Sequence, residues 1–251
     1  MKDLTGAILA AVRAGRGRTL PTILLGLAAL LLLQLDETPL ISVRQAQFDH
    51  YQRMMPRARP DEPVIVVGID SSSLARHGQW PWPRDLIARL VDRIQAGKPL
   101  ALGIDIVFAE CDRYSPEVLA DRLAALPEAA LASLPDPDRQ LADALSGPPA
   151  VLAVVGLSNP LPGSTVPARP LQVFRSDAAR DGHLPRFAAG LASRPLIERA
   201  AAGEGLINAS PAALQGNAER GVLRQLPTLA FVADLPFLSL PLEMTRQALG
   251  G

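Results

Sequence analysis

The sequence predicts an α/β fold: a mixed sheet opened by a parallel βαβ unit, with an antiparallel C-terminal extension and an N-terminal transmembrane helix ahead of it. Three observations carry that expectation. β-Branched apolar runs alternate with amphipathic helical patterns along the chain. Hydrophobic residues make up 48% of the 251, enough to bury a core and exclude wholesale disorder. One uncharged run near the start is flanked by basic residues on one side only.

That run, Thr19 to Leu35, holds 17 uncharged residues and is closed by Asp36 and Glu37. Roughly 17–25 apolar residues span a bilayer. Lys2, Arg13, Arg16 and Arg18 precede it against Asp3 alone, which predicts a cytoplasmic N-terminus over residues 1–18, a membrane helix over 19–36 and an exported domain over 37–250. A cleaved signal peptide or a buried core helix are the alternatives. No small-residue cleavage site follows the run, and a core helix rarely carries a one-sided arginine cluster. From Asp36 on, 21 basic and 24 acidic side chains leave a net charge of −3, giving that part no reason to lie flat on anionic lipid. The expected location is the inner membrane, with the main domain periplasmic or extracellular.

Glu37 to Met55 reads as a helix continuing outward. Leu40, Val43, Gln47, Tyr51 and Met54 form a narrow stripe that suits either a partner helix in a homodimer or the chain's own domain. Pro56 and Pro60 end it. Val64 to Ile69 (VIVVGI) is the strongest strand pattern, β-branched and continuous. Pro83 to Gln95 places Leu86, Ile87, Leu90, Val91 and Ile94 on one helical face, and Leu100 to Phe108 (LALGIDIVF) reads as a second buried strand, completing a βαβ unit. Helices are expected over Glu117–Leu126 and Asp138–Leu145, a third strand over Val151–Leu157, and long loops from Ser158 to Arg194, rich in proline, glycine and arginine. A short helix at Pro195–Ala202, strands at Gly205–Ala209, Gly221–Gln225 and Thr228–Ala233, and a closing helix at Leu238–Leu249 complete the expectation.

Composition narrows the chemistry. Formal charge is zero, against the basic excess of nucleic-acid binders, so no nucleic-acid partner is expected. The single cysteine, Cys111, excludes an internal disulfide and multi-cysteine zinc sites. No nucleophile elbow, HExxH or phosphate-cradling glycine loop is present, and His50, His77 and His183 are scattered. No cofactor, metal or enzymatic activity is therefore expected of this chain.

The candidate residues lie where α/β sheets bind ligands, at the carboxyl ends of strands. Asp70 follows the first expected strand and Asp105 lies near the end of the second. Two carboxylates there suit a metal or a ligand. The plainer reading has Asp70 capping the turn Ser71–Ser73 and Asp105 pairing with an arginine. Gln79-Trp80-Pro81-Trp82-Pro83-Arg84 sets both tryptophans two residues apart on a proline-stiffened backbone; it reads as a pocket wall beside Arg84, an interface anchor, or a plug over the core. Glu110, Asp112 and Arg113 follow in a loop suited to polar pocket-rim groups.

These segments, VVGIDSSSLARHGQWPWPRDLIARLVDRI and ALGIDIVFAECDR above all, resemble the type 2 CHASE domain, an extracellular sensory module associated with cyclases and histidine kinases. GEGLINASPAALQGNAERGVLRQLPTL and FLSLPLEMTRQAL resemble its later hairpin and closing helix, so the likeness runs from about Leu40 to Gly250. It implies a periplasmic or extracellular sensor of a bacterial transmembrane receptor, coupled to a cyclase, kinase or cyclic-di-GMP output domain and responding to a small-molecule or envelope ligand. By motif position it points to Asp70, Trp80, Trp82, Arg84, Asp105, Phe108 and Glu110, and to Asn208, Arg220 and Arg224. Two departures stand out: family members continue into further membrane helices and an output domain where this chain stops at Gly251, and SPAALQGNAERG replaces an expected aspartate-glycine turn. An envelope scaffold docking through the tryptophan loop, and a metal-assisted hydrolase built on Asp70, Asp105 and Glu110 with Arg84 as clamp, are the alternatives.

Overall fold

The computed structural model describes residues 19–34, 39–56, 64–123, 127, 130–131, 133–164, 167, 184–208 and 226–250. The chain divides into two units, Met1–Val67 and Gly68–Gly251.

In the first unit the apolar run forms helix α1, Thr19–Gln34, and the striped segment forms α2, Pro39–Met54. Helix α1 has 16 residues, about 24 Å at a rise of 1.5 Å each, against a hydrocarbon core of about 30 Å. Among the described residues no helix is long and apolar enough to cross a membrane. In α2 the Gln47 amide donates to the Tyr51 hydroxyl at 3.1 Å, one turn further along the stripe.

The strongest expected strand does not form. Residues 64–69 have no regular structure, and the side chains of Val64, Ile65, Val66 and Val67 are 54–87% exposed. β-Branched side chains favour extended backbone, but a strand exists only where a neighbour takes up its hydrogen bonds. The βαβ unit expected between 64–69 and 100–108 is accordingly absent among the described residues.

The second unit builds its parallel pairs elsewhere. After α3 (Ser71–His77) and α4 (Arg84–Gln95), the chain forms β1 (Leu102–Ile104), then α5 (Pro116–Arg122) and α6 (Pro137–Leu145), then β2 (Ala150–Leu157). Strand β2 pairs parallel with β1, Leu102 opposite Ala150. It next pairs antiparallel with β4 (Ala189–Leu191) and parallel with β5 (Gly203–Leu206), which is reached through helix α7 (Pro195–Ala200). The expected strand 100–108 is thus only three residues long: past Ile104 the backbone leaves the ladder, exposing Asp105 and burying Phe108.

A second sheet joins β3 (Arg186–Phe187), β6 (Leu229–Val232) and β7 (Leu235–Leu238), parallel then antiparallel. Strands β3 and β4 fall within the stretch expected to be loop. Strand β7 was also not expected, because its turn carries no Asn-Gly signal. Ala233 (φ 48°) and Asp234 (φ 65°) supply the two left-handed residues that a tight two-residue hairpin demands, and Arg186 pairs with Asp234 at 2.9 Å. The strand expected at 221–225 lies outside the described residues.

Two layers of helix flank the main sheet. On one face α4, α6 and α7 enclose a core of Trp82, Ile87, Val91, Ile104, Phe108, Leu141, Leu145, Leu152 and Ile197. On the other lies α8 (Leu240–Ala248), over Gly103, Gly203 and Gly205. Where β2 extends toward the second sheet, Val154, Leu206, Val232 and Phe237 form a smaller cluster. Strand β2 is buried along most of its length, as a continuous apolar run in a central position should be.

Candidate functional site

The starts of α4, α5, α6 and α7 are tied to the loop of residues 108–112 that follows β1, and the loops leading into them carry the candidate chemistry. Arg84 opens α4. Pro83, at its N-cap, has no side chain to cap the free amides, and Asp112, from a loop 28 residues on, does so instead: its Oδ2 accepts from the Arg84 backbone N–H at 2.7 Å. The Arg84 guanidinium lies 4.7 Å from the centre of the Phe108 ring, donates to the Glu110 carbonyl at 3.3 Å and brings Nε within 3.7 Å of Asp138 Oδ1.

Asp138 is the centre of the arrangement. It stands in the first turn of α6, fully buried. Its Oδ2 accepts from Arg194 Nη1 at 2.6 Å and from the Asp112 backbone N–H at 3.1 Å. Oδ1 and Arg84 Nε are both buried without a hydrogen-bond partner, so their contact is purely electrostatic. A buried carboxylate between two guanidinium groups is the arrangement that makes its desolvation tolerable. Arg194, at the entrance to α7, reaches out to Glu117 at 3.1 Å and donates its backbone N–H to the Phe108 carbonyl at 2.8 Å. Ser193 Oγ accepts from the Phe108 N–H at 3.1 Å. Burial works against the Arg194 charge, but its hydrogen bond to Asp138 and the charges around it leave it above its ordinary range. Cys111, half-buried, donates to Glu117 at 3.5 Å; burial first, then the Glu117 carboxylate, pushes its thiol up.

The tryptophan segment divides its roles. Trp82 is buried, donates its indole N–H to the Gly78 carbonyl at 2.8 Å and meets His77 edge-on at 5.5 Å. Trp80 stays 41% exposed, its ring 6.1 Å from that of Trp82. Arg113 ties the two loops together, donating to the Pro81 carbonyl and lying over the Tyr114 ring at 5.6 Å.

The structure thus brings together Trp80, Trp82, Arg84, Phe108 and the backbone of Glu110, whose side chain is exposed. Asp70 is the cap of α3: Oδ1 accepts from the Ser73 N–H and hydroxyl, each at 2.8 Å, and from the Ser72 hydroxyl at 3.0 Å. The Ser73 amide, with the two hydroxyls, holds that carboxyl below its ordinary range. Asp105 is exposed. Asn208, just beyond β5, makes a two-point contact with the Gly156 backbone, accepting at 2.6 Å and donating at 2.8 Å. Arg220 and Arg224 lie outside the described residues. No group of three or more His, Cys, Asp or Glu among the described residues is placed to hold a metal ion, so the metal centre weighed for Asp70, Asp105 and Glu110 does not form there.

Sequence reasoning passed over Asp138, Arg194, Ser193 and Glu117. A signal existed for Asp138: with Leu141, Ala142 and Leu145 it falls on the buried face of α6, so an acid stood in an apolar helical stripe. Arg194 carried no comparable signal, lying at the end of an arginine-rich stretch without periodicity. Comparison with known proteins adds one finding. The model of the CHASE2 domain family matches residues 23–250. No curated protein and no solved structure matches the chain.

Proposed function

The chain belongs to the CHASE2 domain family, and from that premise we propose that it is the extracytoplasmic sensor of a membrane-anchored bacterial receptor. CHASE2 is a family of sensory domains, not of catalytic ones. In this reading the uncharged run from Thr19 to Leu35 holds the chain in the inner membrane, its arginine-rich flank on the cytoplasmic side. The output is a cyclase, kinase or cyclic-di-GMP domain. The exposed Val43, Tyr51 and Met54 of α2 support association with a second copy.

The observation that carries the reading, beside the family match, is the junction of the tryptophan loop with the loop after β1. Arg84, Asp112 and Arg113 tie these loops through backbone contacts, leaving Trp80, Glu110 and Tyr114 at the solvent edge. The half-buried Arg84 and Arg194 are already matched by Asp138, so they position the loops, and the exposed groups are what a ligand meets. A ligand held by the rim changes signalling only to the extent that it favours one packing of the loops and helices over another.

Topology is the first test. Alkaline phosphatase fused after Gly250 is expected to be active in the envelope, and green fluorescent protein fused there dark; the opposite pattern refutes an extracytoplasmic sensor. A scaffold docking on the exposed Trp80 and Tyr114 is the second reading, favoured by their exposure. Protein adducts from a photoreactive group at position 80 support it, and their absence in intact cells removes it.

A further inference from the structure

Helix α8 rests on the sheet over three glycines, and its two ends are held in different ways. At the start, contact is backbone on backbone. A Cβ at Gly205 would lie 2.5 Å from Leu240 Cα and 2.9 Å from its nitrogen. Ser239 forms a parallel bridge with Leu206, and its N–H donates to the Thr228 carbonyl at 2.9 Å. One turn and more along, the atoms nearest the glycines belong to side chains. Over Gly103 lies the Met244 thioether, and over Gly203 the Glu243 carboxylate and Gln247 amide.

The polar contacts at that far end are nearly all internal to the helix. Buried Glu243 accepts from Arg246 through both oxygens, at 2.7 and 2.8 Å, and from Gln247 at 2.9 Å. The carboxylate is thus neutralised from within the helix. The hydrogen bond seen from it to the sheet side is the Gln247 amide on the Ala202 carbonyl, at 3.2 Å.

We propose that α8 is a lever, hinged at the Leu240–Gly205 backbone contact and latched at its other end by Gln247 on Ala202. Under the moving half the notches at Gly103 and Gly203 are filled by the flexible side chains of Met244, Glu243 and Gln247, so a swing displaces those side chains and not a fixed Cβ ridge. From Leu240 to Leu249 the arm is about 14 Å long. A tilt of about 20°, within the ordinary scatter of packing angles, carries its tip about 5 Å. This device follows from the packing of α8 and stands whether or not the chain is a sensor.

Paired spin labels on the full chain in detergent micelles, with Cys111→Ala to remove the native thiol, test it. One pair joins Asp92→Cys on α4 to Leu249→Cys at the lever's tip; the other joins Asp92→Cys to Leu242→Cys in its first turn. All three positions are exposed. Releasing the latch with Gln247→Ala should shift or broaden the tip distance by about 5 Å and leave the Leu242 distance unchanged. Gln247→Leu, which keeps the volume and loses only the amide, should act alike and serves should the alanine variant lose its fold. An unchanged tip distance in the folded variant overturns the latch. Equal movement of both pairs overturns the hinge.

Discussion

Replacing Asp138 by asparagine tests whether the buried ionic cluster holds the candidate site together. The substitution keeps the shape of a fully buried side chain and removes its charge, leaving Arg84 and Arg194 facing each other around a neutral amide. Removing one partner from a buried ion pair costs about 3–5 kcal/mol. If the amide nitrogen takes the place of Oδ2, the Asp112 N–H also loses its acceptor, worth about 1–3 kcal/mol. Glu117→Gln is the internal control, because it touches the same Arg194 from a carboxylate 67% exposed, where an ion pair is worth at most about 1 kcal/mol. In a unit of this size each kcal/mol moves the melting temperature by about 2–4 °C. Asp138→Asn is therefore expected to lower Tm by about 10 °C and Glu117→Gln by no more than about 4 °C. Thermal melts followed by circular dichroism at neutral pH measure both. Equal small losses for the two variants would refute the argument, since the burial of Asp138 would then carry no energetic weight.

Three further outcomes follow from single contacts. Asp70 is bound more strongly as a carboxylate in the folded chain, so its cap stabilises α3 above the ordinary carboxylate value and is lost as pH falls through the lowered folded value; the Ser73 amide resonance should titrate with a midpoint below 3.8, and a midpoint above it would contradict the cap. Cys111 should alkylate with a pH midpoint above that of a free thiol, and Glu117→Gln should bring the midpoint down; no difference between the two proteins would remove Glu117 from the thiol's surroundings. Gly205→Ala, whose Cβ meets Leu240 backbone, should destabilise by about 1–3 kcal/mol, whereas Gly103→Ala meets only the flexible Met244 and should cost less. Denaturant melts giving the reverse order would contradict the hinge contact.

The site was legible in the sequence only where local chemistry announced itself. Trp80, Trp82 and Arg84 were visible because two tryptophans on a proline-stiffened segment are unusual anywhere, yet nothing local told the exposed ring from the buried one. Asp70 was legible in both its readings, and the capping one describes what its carboxylate does in the structure, since a carboxylate before three serines satisfies helix amides without any help from the rest of the fold. Asp105 was expected near a strand end and lies there, but exposed. The pairing of Asp138 with Arg84 and Arg194 joins residues 54 and 56 positions apart, and no pattern in a single sequence reports such distances.

The same division holds for the whole chain. The sequence by itself determined most of the helices, whose hydrogen bonds close within four residues and whose amphipathic faces are written locally: α4 and α6 fall close to where periodicity put them, although α3 forms where only a turn was expected, and β2, apolar throughout, had to be central. Which extended segments became strands was decided only in three dimensions. Val64–Ile69 has the better β-forming composition and stays unpaired, while Leu102–Ile104 and Leu235–Leu238 are in sheets because Ala150–Leu152 and Leu229–Val232 offer them matching backbone groups. A strand's hydrogen bonds belong to its neighbour, and a buried charge is tolerable only beside its counter-charge, so both wait on the packing of the entire unit.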